Sequence, residues 1–153
     1  MQSKIFGGAV CAAIFSTAAA EACSRALYIG EDGTNVTVRS MDWRNEPSTD
    51  LWVFPRGLER RGAVGDRSLT WTSRYGSVVA SAFDAAAVDG LNEEGLAANL
   101  LYLTGSDYPD LDAHEGDAVA VSAWTQYMLE MFATVDEAVA AMRADPRCSS
   151  QPA

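Results

Sequence analysis

Between residues 26 and 103 the chain changes character every few residues, and that short pitch limits the possible folds more than any other feature. Runs of β-branched, aromatic and alternating apolar residues fall at Ala26–Ile29, Val36–Trp43, Trp52–Phe54, Leu69–Arg74, Val78–Phe83, Ala87–Asn92 and Leu96–Leu103. Breaks rich in Gly, Asp, Asn and Pro separate them. Runs of this length are too short for stable helices and read as strands joined by turns. Three hairpins are expected: 26–29 with 36–43, 69–74 with 78–83, and 87–92 with 96–103. Gly95 suits the last turn, because a residue without Cβ adopts positive φ at little cost. The stretch Arg44–Asp66 is expected to give one short strand and a surface loop.

After the acidic segment 107–117 the apolar period lengthens. Val119, Trp124, Tyr127, Met128, Met131 and Phe132 recur at broadly helical spacing, with Trp124, Met128 and Met131 expected on the core face. Thr134-Val135-Asp136-Glu137 has the form of a capping box and introduces a second helix over Ala138–Met142. A succession of short strands followed by two helices implies an α+β layered domain. The segment 145–153 has no periodicity and reads as an irregular tail.

The first 22 residues are expected to be removed. Lys4 supplies a positive start, Ile5–Phe15 is apolar and uncharged, and Ala20-Glu21-Ala22 has the small-x-small pattern of a signal peptidase site. The apolar run falls short of the roughly 20 residues that span a bilayer. Cleavage after Ala22 would make Cys23 the first residue and place the protein in the periplasm or outside the cell. The chain has 21 acidic and 11 basic residues, a formal charge of −10. Losing Lys4 and Glu21 with the leader leaves that balance unchanged. An acidic surface is repelled by phosphate backbones and anionic head groups, so neither nucleic acid nor a membrane surface is an expected partner.

A cysteine at a free N-terminus carries two useful groups. Its thiol is a nucleophile, and its α-amine titrates near pH 8, close enough to neutrality to accept the thiol proton and return it later. No histidine base is then required, and beyond the leader the chain has only His114. If the first two strands pair, the end of the second returns beside Cys23. Arg39 could then stabilise the thiolate, and Asp42 could hold the α-ammonium. Two other fates of Cys23 stay open: lipidation after signal cleavage, to which Ala20-Glu21-Ala22 is poorly suited, and a disulfide with Cys148. The cluster Asp107, Asp110, Asp112, His114, Glu115 and Asp117 lacks the spacing and central glycine of a calcium loop. It reads as a solvated acidic loop, and no metal or cofactor is expected.

Cys23-Ser24-Arg25, Arg39-Ser40-Met41-Asp42-Trp43 and Asp89-Gly90-Leu91-Asn92-Glu93-Glu94-Gly95-Leu96, in that order behind a cleavage site, resemble the choloylglycine hydrolase family. This family comprises the bile salt hydrolases and penicillin V acylases, N-terminal nucleophile hydrolases with an αββα fold. The likeness extends over roughly 23–144, including the paired helices. It implies hydrolysis of linear amide C–N bonds in N-acyl amides such as penicillin V, conjugated bile salts or acyl homoserine lactones. Cys23 would be the nucleophile, Arg39 a contact to its sulfur and Asp42 the partner of its amine. Tyr102 falls at the oxyanion and substrate wall, where tyrosine favours penicillin V-like substrates. A homo-oligomer, a tetramer, is a further implication. Family members continue into a second sheet that supplies an asparagine and a second arginine. The chain ends at Ala153, so it is expected to be the N-terminal part of a longer product, with one sheet face uncovered and the alternative fate of an inactive or lipid-anchored envelope protein.

Overall fold

The alternating runs at the start form a hairpin of β1 (Arg25–Ile29) and β2 (Asn35–Arg39), with Arg25 opposite Arg39 and Ile29 opposite Asn35. In this computed structural model residues 23–103, 105–108, 110, 116–144 and 148–149 are described. The expected leader, 1–22, lies outside the described residues, as do Asp112, His114 and Glu115. The remaining strands before the helices are β3 (Leu51–Phe54), β4 (Glu59–Arg61), β5 (Thr70–Thr72), β6 (Ser77–Ala82), β7 (Ala86–Asn92) and β8 (Ala97–Asn99). The main sheet is antiparallel in the order β3-β6-β7-β8, and β4 and β5 form a separate pair.

The expected hairpin between 69–74 and 78–83 does not form. β5 pairs with β4, Arg60 facing Trp71, while β6 pairs with β3 and β7. The chain is diverted at Ser73–Tyr75. The Ser73 hydroxyl accepts from Leu58 N–H at 2.9 Å and donates to the Pro55 carbonyl at 3.2 Å. Arg74 and Tyr75 N–H groups both donate to the Glu130 carbonyl, at 2.9 and 3.1 Å. β4 was hidden in sequence because its three residues are all charged. Its Arg60 nevertheless lies 4.2 Å from the centroid of the Phe54 ring.

The hairpin β7–β8 forms as expected, with Gly95 at φ +87°. Asn92 does more than turn the chain. It is 4% exposed, and its carboxamide oxygen accepts from the N–H groups of Glu94 and Leu96. Its nitrogen donates to the carbonyls of Leu129 and Phe132, both at 2.8 Å. One side chain thus closes the turn and satisfies carbonyls at the end of a helix that would otherwise lack partners.

That helix, α1 (Val121–Met131), follows β9 (Val119–Ala120) directly and packs on the sheet. Register places Trp52, Val79, Gly90 and Ala98 in one row, and a Cβ at Gly90 would lie 2.6 Å from Leu129 Cδ1 and 2.7 Å from Val78 O. The helix can approach this closely only over glycine. Gly90→Ala is expected to lower stability by about 1–3 kcal/mol through overpacking, read as a reduced urea midpoint at unchanged slope.

The buried face of α1 differs from the expected one. Met128 is buried, but Trp124 and Met131 are only half-buried, and the interior stripe is Thr125, Gln126, Leu129 and Glu130. Polar groups can point inward because the sheet and β4–β5 offer partners. Glu130, 0% exposed, accepts from Arg60 Nε at 3.0 Å, Trp71 Nε1 at 2.6 Å and Gln126 Nε2 at 2.7 Å. α2 (Val135–Ala144) starts at the anticipated capping box: Glu137 N–H donates to Thr134 Oγ1, and the Glu137 carboxylate accepts from Ala133 N–H. Within the segment read as an irregular tail, β10 (Cys148–Ser149) pairs in parallel with β9.

The sheet's other face is open. Leu51, Val53, Val78 and Leu91 there are 45–76% exposed. Among the described residues no helix is long and apolar enough to cross a membrane.

Candidate active site

The β1–β2 hairpin brings the candidate residues together. β2 ends at Arg39, earlier than the run to Trp43 suggested, yet the pairing continues one step further: Ser40 N–H donates to the Ser24 carbonyl at 2.9 Å. The Ser24 N–H returns a 3.1 Å bond to Ser40 Oγ, and that hydroxyl donates to the Asp42 carboxylate at 2.9 Å. Cys23, half-buried with a free thiol, therefore sits at the hairpin end where Asp42 is held. Ser40 lay inside the motif recognised in the sequence, but no role was assigned to it. Only the register shows that its hydroxyl links the first strand to Asp42.

Arg39 lies one residue before this link. Its guanidinium is half-buried and donates through one Nη to the Leu100 carbonyl, just beyond β8. Tyr102, two residues further, reaches the same end of the molecule. Its ring packs edge-on against Trp43, the neighbour of Asp42, with centroids 5.3 Å apart. Trp43 also meets Phe83, at 6.4 Å. Phe83 and Asp84 form the β6–β7 turn at φ +56° and +53°, a strained conformation for residues other than glycine. The three rings are each 48% exposed. They form an open aromatic wall, of which Tyr102 alone was anticipated. Phe83 gave no signal because only the turn geometry turns it toward Trp43.

Cys23, Arg39, Asp42 and Tyr102 are thus connected through nearest neighbours: Ser24 to Ser40 to Asp42, Arg39 to Leu100, Trp43 to Tyr102. Among the described residues, no group of three His, Cys, Asp or Glu residues could hold a metal ion.

Comparisons with known proteins bear on the family and the fold. The model of linear amide C–N hydrolases, choloylglycine hydrolase family, matches residues 23–145. The chain belongs to this family. It is 42% identical to the penicillin V acylase of Pectobacterium atrosepticum, over 95% of this chain and 41% of that protein. The solved structure of penicillin V acylase from Agrobacterium tumefaciens superposes with a TM-score of 0.77 at 50% identity, over 82% of this chain and 40% of the other. The chain spans about two fifths of the length of these relatives. Its strands and paired helices accordingly belong to the α+β N-terminal nucleophile hydrolase fold of the choloylglycine hydrolase family.

Proposed function

We propose that Cys23, freed by loss of residues 1–22, is the nucleophile for hydrolysis of linear N-acyl amides. The observation that supports this is the Ser24–Ser40–Asp42 connection, two hydrogen bonds that tie the Asp42 carboxylate to the residue directly after Cys23. The thiol attacks the acyl carbon and its proton passes to the α-amine. Asp42 stabilises the ammonium so formed, and Arg39 stabilises the sulfur as thiolate. Negative charge on the former carbonyl oxygen is met at Tyr102, by its N–H or its phenol. Collapse expels the amine, which takes the proton from the ammonium and leaves a thioester on Cys23. Water, deprotonated by the α-amine, then attacks the thioester, releases the carboxylic acid and restores the thiol.

The aromatic wall of Phe83, Trp43 and Tyr102 favours an acyl group that is itself aromatic, a phenoxyacyl amide such as penicillin V. Both relatives described above are named for that substrate. The reaction takes place in the periplasm or outside the cell, where the leader would deliver the protein.

Mass spectrometry of protein from a secreting host tests this. An unmodified α-amine at Cys23 is expected, with an acyl adduct on the Cys23 peptide after acid quenching in the presence of penicillin V. A diacylglycerol adduct at Cys23 would make it an anchor. Amine release with acylation at a different residue would end its role as nucleophile.

A further inference from the structure

On the sheet face turned away from α1, Leu51, Ala80, Asp89 and Asn99 form one row across the strands. At its β8 end the Asn99 carboxamide donates to the Asp89 carboxylate at 2.5 Å. The next residue, Leu100, carries the carbonyl that receives Arg39. Its N–H donates at 2.8 Å to the Val88 carbonyl, and Val88 is the residue skipped where β6 pairs with β7, Ala80 facing Asp89 but Ser81 facing Ala87. Such a bulge re-aims the backbone locally. Here it grips the strand end that Arg39 binds. Arg39 Nε and Asn99 Oδ1 are, moreover, buried without hydrogen-bond partners. Native interiors keep few such groups, and these two lie on the guanidinium bonded to Leu100 and on the side chain that immediately precedes Leu100.

We propose that Asp89 and Asn99 are positioning residues. Their cross-strand bond sets the Leu100 carbonyl, and through it the direction in which the Arg39 guanidinium points. This rests on the assignment of Cys23 as nucleophile with Arg39 beside its sulfur. The charged residues on the segments around Arg39 are Arg25 opposite it on β1, Asp42 three residues beyond it and Asp89 on β7. Of these, Asp89 is tied through its side chain to the residue next to Leu100.

Alkylation of Cys23 by iodoacetamide, measured against pH on the Cys23 peptide so that Cys148 does not contribute, separates the possibilities. Arg39→Ala is expected to raise the midpoint. Asn99→Ala is expected to raise it in the same direction, and the double variant no further than Arg39→Ala alone. Exchanging the pair, Asp89→Asn with Asn99→Asp, is expected to bring the midpoint back. A lower melting temperature with an unmoved midpoint in Asn99→Ala would overturn the proposal while leaving Arg39 its role. An unmoved midpoint in Arg39→Ala would overturn both. Should Asn99→Ala fail to fold, Asp89→Asn is judged by the same midpoint.

Discussion

Replacing Cys23 with serine is expected to slow release of the amine from penicillin V by about a thousandfold or more. A thiol is a few per cent ionised at neutral pH, whereas an alcohol is essentially un-ionised, and an amine that titrates near pH 8 cannot compensate for that difference. The serine variant keeps the α-amine, so the interaction proposed for Asp42 would be preserved and the loss would belong to the nucleophile. Cys23→Ala, which retains the amine and removes any attacking atom, is expected to fall to background with no acyl adduct. Steady-state amine release by both variants, on protein processed at Ala22, is the measurement. Turnover of Cys23→Ser near the unsubstituted rate would mean that another group attacks the amide.

The second large effect concerns stability. Glu130→Ala is expected to cost about 3–5 kcal/mol, because it removes one partner of a buried ion pair and the acceptor of the Trp71 indole N–H. Arg60 Nη2 is 2.9 Å from the Glu130 carboxylate, Trp71 Nε1 would lose its 2.6 Å acceptor, and Gln126 Nε2 would keep only the Ser77 hydroxyl at 3.1 Å. The Arg60 side chain is 23% exposed, so water recovers part of its share. Glu130→Gln, which keeps an acceptor oxygen, is expected to lose less. Combining Arg60→Met with Glu130→Leu is expected to recover much of the loss, since apolar replacement of a whole buried pair is often tolerated. Urea unfolding of the four proteins decides it. A cost under about 1 kcal/mol for Glu130→Ala would show that the network contributes little net stability.

Much of the local structure was readable because it depends on short-range chemistry. The β1–β2 and β7–β8 hairpins follow from apolar runs flanking turn residues, and α2 begins where Thr134 and Glu137 can cap it. The 69–83 hairpin misled because a run–turn–run pattern does not say which strand each run will pair with. Ser73, bonded to the β3–β4 connection, and Glu130, whose carbonyl receives the next two amides, divert the chain there, and both contacts are remote in sequence. The stripe on α1 misled for a related reason. Hydropathy places Trp124 and Met131 inside, but burial depends on the facing surface, and that surface offers Arg60, Trp71 and Ser77 as hydrogen-bond partners to Gln126 and Glu130.

For the site, the sequence alone was enough to single out Cys23, Arg39, Asp42 and Tyr102, and to place the chain among the choloylglycine hydrolases through the order of its motifs. Residue type and spacing suffice for that, because the reactivity proposed for Cys23 would be carried by one residue and its neighbours on a hairpin. Which groups hold those residues in place was decided by the tertiary structure. Ser40 between Ser24 and Asp42, Leu100 receiving Arg39, and Phe83 turned against Trp43 each depend on register, a bulge or a positive-φ turn. Orientation is a property of three-dimensional packing, and no periodicity along the chain encodes it.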